Sequence, residues 1–471
     1  MLTIDYIKLG LGLLAYLGVA PLLGWLVSDS RRLQRWLFGL LIFMTSWHIN
    51  KLTLMVHSIE EYRGATKGFE LSLLDVVAGA LLIALGRRPD HTWRWLPPGT
   101  YLYLFYVAMS YISIFAAPNE LYVNMAAWRF LEQIVIFVAA YNYLRDEEDL
   151  RIVLRAVAAT LCFQAVVALK MKYVNHIYQV YGWFEHQNAF AMWAYLCGLP
   201  LLAVALSPCL RRDMRWCLAG YAASAIIVEA ALARASLMAF IAGTGIVVAW
   251  SWWDRITVRR VAIPAVLALM AAVGLVFTLP TLIHRFGESR NKESSELRTM
   301  LVKSSKLMLA DSAIGIGWNN FAIVINRPYN YGAPIDEWTL SRGMNVNQSE
   351  AKPQPESHYW LILAENGYPG LLSYLLFIGV TTWWCLRAER QWRGTLAGAF
   401  LAGLAVALII TYAHSTVERC LTQTKNIAMW LIFVGMAMKL DRLARLNRLS
   451  LPIGKVPIRA TPRQSPALLS S

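Results

Sequence analysis

One histidine in this chain stands where a proton acceptor would be useful. His358 opens the segment His358-Tyr-Trp-Leu-Ile-Leu-Ala-Glu365-Asn-Gly367-Tyr-Pro-Gly370, which closes a long polar stretch and begins an apolar run with a sharp stop. Imidazole titrates near neutral pH, so a histidine at such a boundary can take a proton from a hydroxyl. Its competing role is that of a helix-start histidine bonded to a backbone carbonyl. Glu365 follows seven residues later, about two helical turns on and on the same face. That is too far for a direct bond on a straight helix, so Glu365 can orient a base only if the helix bends.

Cations supply the second half of the chemistry. Arg129 with Glu132, Lys51, Lys170, Lys172 and Arg234 lie in apolar segments or at their ends. Arg285, Arg290, Lys292, Arg298, Lys303 and Lys306 follow in the polar stretch, where the acids Glu288, Glu293 and Glu296 are fewer. Ionisable groups in such places are expensive and therefore informative. Guanidinium forks match phosphate oxygens bidentately, so the set reads as a cationic pocket for a phosphate or diphosphate. Snorkelling at an interface is the alternative for the lysines, and an ion pair one turn away, with Glu132, is the alternative for Arg129. Arg234 resists that explanation, because Ala233-Arg234-Ala235-Ser236 joins two apolar runs with almost no loop. His414, Glu418 and Arg419 form another polar cluster with a weaker claim, and His186 and His284 read as interface histidines. The sequence has neither an Asp-x-Asp metal motif nor a phosphate-cradling glycine loop ending in Lys-Ser or Lys-Thr. The expected chemistry uses no metal, ATP or other cofactor, so an activated donor must carry its own leaving group.

The elements that position these residues are membrane helices. The 471 residues are 57% hydrophobic with mean hydropathy +0.45, and apolar runs long enough to cross a bilayer recur from end to end. Thirteen spans are expected, near 7–27, 36–57, 71–86, 101–117, 126–143, 152–171, 187–206, 217–233, 235–253, 261–282, 369–386, 395–414 and 426–439, or twelve if the first is re-entrant. The class is an all-α polytopic membrane protein, since only helices satisfy their backbones in lipid from such a pattern. Four parts follow: helices over 1–282, a loop over 283–357, helices over 358–439, and a basic tail over 440–471.

The net charge of +15 does not point to nucleic acid. Its arginines cluster in every second connection (31–35, 87–94, 211–215, 255–260, 387–393) and in the tail, as expected of cytoplasmic loops beside anionic membrane lipids. The loop 283–357 then faces the other side. Within it, a short helix is expected in 284–310, followed by a Gly-, Pro- and Asn-rich stretch over 311–357 without regular structure. The six cysteines lie in or beside spans without metal spacing and read as buried thiols.

Four segments in order carry a family resemblance: Gly182-Trp-Phe-Glu-His-Gln-Asn188-Ala-Phe-Ala, Ala233-Arg234-Ala-Ser236, Asp311-Ser-Ala-Ile-Gly315-Ile-Gly317-Trp-Asn319-Asn-Phe321, and His358 to Gly370. Together with the long loop before the histidine, they resemble the O-antigen ligase/polymerase superfamily over roughly 180–385. The resemblance implies a GT-C-like glycosyltransferase of the bacterial inner membrane, with its active site facing the periplasm and a glycan on undecaprenyl diphosphate as donor. By position, Arg234 matches the arginine of the family's Ser-Arg motif, although Ala233 stands where the serine would be. His358 matches the histidine proposed as general base, and Glu365 and Gly370 match the motif downstream of it. Asn188 and Asn319 match recurrent positions with a structural or sugar-contacting role. Arg129, Arg285, Arg290 and Arg298 are the expected helpers at the diphosphate. A ligase acting on lipid A-core is favoured, with a polymerase or a protein O-oligosaccharyltransferase of the same superfamily as alternatives. A lipid-linked glycan flippase is the non-enzyme alternative; it would need no base.

Overall fold

The computed structural model describes residues 2–47, 52–54, 66, 68–90, 92–207, 211–254, 256–269, 272, 290–346 and 352–446. The chain is an all-α polytopic membrane protein in which eight described helices are long and apolar enough to cross a membrane. Helices occupy all thirteen expected positions, two of them in part. The tenth is described only over 258–269. The second, expected to run from 36 to 57, stops at Met44 instead. There the Thr45 and Ser46 hydroxyls donate to the carbonyls of Ile42 (2.7 Å) and Phe43 (3.0 Å), taking up the groups a further turn would use. The chain then forms one strand of a small antiparallel ribbon, Leu52–Leu54 against Phe69–Leu71. Lys51, expected inside that span, lies outside the described residues.

The centre of the bundle is the Gln187–Leu206 helix, buried at every position from Ala189 to Leu206. Small residues let its neighbours approach closely. A Cβ on Gly403 would sit 2.6 Å from the Cα of Pro200, and one on Gly220 would sit 2.8 Å from the Cα of Ala158.

The two ends of the bundle differ in charge chemistry. At one end, arginines of the expected basic connections close on buried aspartates, Arg31 and Arg35 on Asp149 and Arg387 on Asp441, and Arg151 and Arg155 of the Glu147–Leu169 helix close on Asp213. Part of that basic charge is therefore neutralised within the fold. The other end, hereafter the loop face, carries residues 290–346 and 352–357. The short helix expected there is long, Arg290–Asp311, and the stretch expected to lack regular structure holds helices Phe321–Val324 and Ala333–Ser341.

Candidate active site

The loop is held by a break in the helix that His358 begins. His358–Gln391 is interrupted at Gly367 (φ 62°), two residues before Pro369. Proline has no N–H to donate, so the Glu365 carbonyl would be orphaned in a regular helix. The loop supplies what is missing. Gly317 N–H donates to the Glu365 carbonyl and Ile316 N–H to the Ala364 carbonyl, while Tyr368 N–H donates to the Ala313 carbonyl, all at 3.0 Å. The Asp311 to Phe321 motif and the His358 to Gly370 motif are thus two halves of one clamp.

The carboxylate of Glu365 completes the clamp rather than meeting His358. Its Oε1 accepts from the Phe321 N–H at 3.2 Å, at the start of the four-residue helix. Asn319, in the left-handed region at φ 63°, exchanges two hydrogen bonds with the backbone of Thr66. Asn320 does the same with Asn119, where the Glu120–Tyr143 helix begins. Asn319 and Glu365 therefore anchor the loop through backbone contacts.

Arg234 is placed by a very tight turn. The Arg211–Ala231 helix ends on Leu232, which takes φ 51°, a conformation that costs a non-glycine residue roughly 1–3 kcal/mol. The next helix starts at Arg234 itself. With no loop to carry it away, the guanidinium remains at the wall of a cleft of about 500 Å³ on the loop face. Asn188, His186, Arg298, Glu356 and Glu418 share that wall. Asn188 bonds to Glu418, and His186 Nδ1 accepts from the Asn188 N–H at 3.3 Å. Arg298 bridges Glu356 and Glu418, the latter at 3.2 Å, so its charge is already shared between two carboxylates. Arg285 lies outside the described residues, as does the side chain of Arg290, the first residue of its helix.

His358 is not part of the cleft lining; it lies two residues from Glu356 and is only 4% exposed. Its N–H donates to the Ser415 carbonyl at 2.9 Å, and its ring meets Tyr374 edge-on at 5.3 Å. Ring Nδ1 has no hydrogen-bond partner among the described residues. Two guanidiniums act on the imidazole electrostatically, those of Arg129 and Arg419. Arg129 is buried in the Glu120–Tyr143 helix, stacks over Phe130 and does not line the cleft.

Arg419 is the residue that sequence reasoning undervalued. It feels Glu356, Glu418 and Glu365, and it donates to Gln354, so it joins the cleft to the histidine. The cost argument that singled out Arg234 extends to it, since Arg419 is partly buried in the connection 415–423 between two helices.

Residues 219–375 match the family model described as O-antigen ligase. That match supports a likeness to the O-antigen ligase/polymerase superfamily over this stretch. The match supports ligase-type or polymerase-type function in general. No curated protein matches the chain. The superfamily segment contains Arg234, Arg298, His358 and both halves of the clamp, while Asn188, Arg129, Glu418 and Arg419 come from helices and turns outside it.

Glu418 sets a pH dependence around this site. Burial first, and then the neighbouring Glu356, pushes its carboxyl from 4.5 up to about 7, against the opposing effect of Asn188, Arg298 and Arg419. The folded chain thus holds a proton that the unfolded chain releases. The stabilisation is complete below about pH 4.5 and is lost as pH rises through about 7. Glu418→Gln should flatten that decline, an effect of up to about 3 kcal/mol, visible as melting temperatures in detergent compared at pH 5 and pH 8. A variant that keeps the full wild-type slope would exclude Glu418 as its source.

Proposed function

We propose that this chain is an O-antigen ligase acting on the periplasmic face of the inner membrane. It transfers a glycan from undecaprenyl diphosphate to a sugar hydroxyl of lipid A-core. The acceptor oxygen attacks the anomeric carbon, the bond from that carbon to the diphosphate breaks, and the hydroxyl proton passes to His358. Attack from the side opposite the leaving group inverts the anomeric configuration. Arg234 neutralises the departing diphosphate, work that arginine forks do wherever charge develops on phosphate oxygens. Arg419 and Arg129 add positive charge at the histidine, and the Asn188–Glu418 pair offers polar contacts to sugar.

The observation that carries this reading is a hairpin-fixed Arg234 in an open cleft whose lining includes Glu356, two residues from a buried histidine with an uncommitted Nδ1. The test is transfer by the purified chain from undecaprenyl-diphosphate-linked glycan to lipid A-core, without ATP or divalent metal. Arg234→Ala should lower the rate about 10²–10³-fold, the range for losing one preorganised group at a developing charge. A folded wild type that makes no ligated product, but lengthens chains when given donor alone, would move the assignment to a polymerase.

A further inference from the structure

A second cleft, of about 850 Å³, lies on the loop face beside the first. Lys170, Lys425, Tyr181, Trp183 and Glu185 are among the residues that line it. The two clefts share their dividing walls. The segment 179–188 turns Gln179, His186, Gln187 and Asn188 to the Arg234 cleft, and Tyr181 to Glu185 to the other. The turn after His414 does the same, with Glu418 on one side and Gln423 to Lys425 on the other.

We propose that this second cleft holds a phosphate-bearing glycan, the acceptor of the transfer reaction, with Lys170 and Lys425 meeting its phosphate. The acceptor role rests on the function proposed above. In an inverting displacement the acceptor must approach the anomeric carbon from the side away from the diphosphate. Two clefts lined from alternate sides of the same segments, 179–188 and 418–425, give donor and acceptor separate seats, and Arg234 claims the first for the donor. The second has the size of a small-ligand site, about 300–1,000 Å³. Its lining carries two lysines against one acid, Glu185. Ammonium groups bind phosphate as point charges without demanding the bidentate geometry of arginine.

The lining is also preorganised. Trp183 is wedged edge-on against Trp47 with centroids 4.3 Å apart and packs on Phe163 at 5.2 Å. Its carbonyl accepts from Lys425 Nζ, which also lies 4.9 Å over the ring of Phe184. Gly182 turns the segment at φ 56°, where a Cβ would strike the Phe190 ring at 2.8 Å. Lys425 stands in the first turn of the Thr424–Arg445 helix, whose amide dipoles add positive potential at the same place. Lys170, by contrast, is exposed at the start of the π turn Lys170–Val174 that closes its helix, and its side chain can move to meet a ligand.

The test uses the full chain in nanodiscs and a deacylated, phosphorylated core oligosaccharide, with the phosphatase-treated oligosaccharide as its pair. Wild type should bind the phosphorylated form about tenfold or more tightly than the treated one, as expected of a charge-assisted contact. Lys170→Glu should remove that preference and raise the acceptor KM by a similar factor, leaving the donor KM unchanged; Lys425→Met should act in the same direction. Binding that ignores the phosphate overturns the proposal, and so does a Lys170→Glu variant that raises the donor KM instead. Competition by phosphatidylglycerol in the nanodisc would assign the lysines to lipid headgroups and also overturn it. Lys170-dependent binding without transfer to any acceptor would sustain the phosphoglycan site and sink the ligase reading. Transfer whose acceptor KM ignores Lys170→Glu would do the reverse.

Discussion

Replacing His358 by alanine should lower glycan transfer about 10²–10⁴-fold, the usual contribution of a positioned general base, while donor binding persists. The ring is held by its surroundings more than it holds them. Its backbone N–H is fixed to the Ser415 carbonyl, Tyr374 packs against its edge, and Nδ1 is left without a hydrogen-bond partner among the described residues. An uncommitted ring nitrogen in a buried, aromatic-lined position fits proton transfer better than scaffolding, because burying an unbonded polar atom otherwise costs stability. Single-turnover rates and donor affinity measured on one preparation separate the two roles. A variant with near-normal transfer would dismiss His358 as base and turn attention to His186, which lines the Arg234 cleft.

The second large effect is expected at the clamp. Gly315 (φ 84°) and Gly367 (φ 62°) lie backbone to backbone. A Cβ on Gly315 would collide with the Glu365 carbonyl and come within 2.5 Å of the Gly367 nitrogen. A Cβ on Gly367 would collide with the Ala313 carbonyl and come within 2.5 Å of the Gly315 nitrogen. Neither side can retreat, since each is hydrogen-bonded to the other across the helix break. Alanine at either position should cost about 1–3 kcal/mol from backbone strain alone, with the collision added. Losing the clamp frees residues 312–321, so limited proteolysis in that stretch and loss of transfer should appear together. Gly343→Ala is the control: it has φ 71° but open space around it, so it carries only the conformational term. Equal proteolysis of all three variants would mean that close approach is not what the clamp requires.

Much of the fold is legible in the chain because membrane helices report themselves locally. Each apolar run states its own length, and lipid leaves its backbone no other way to be satisfied. The second span misled because Thr45 and Ser46 end the helix by side-chain bonds that no hydropathy average registers. The stretch 311–357 looked irregular for a similar reason. Its helices are short, and the hydrogen bonds that order the loop run to a helix roughly fifty residues away, through backbone groups that any residue type could supply.

The site divides along the same line. The sequence by itself determined which residues were costly enough to single out as candidates: Arg234 in a hairpin without a loop, Arg129 inside a span, His358 where polar chain meets apolar. Only the tertiary structure decided their partners. It committed Arg298 to Glu356 and Glu418, gave Glu365 and Asn319 to the backbone of the loop, and brought Arg419 between the cleft and the histidine. The cost of burying a charge belongs to its own segment and can be read there. Its neutralisation depends on which other segments pack against it, and the chain order does not state that.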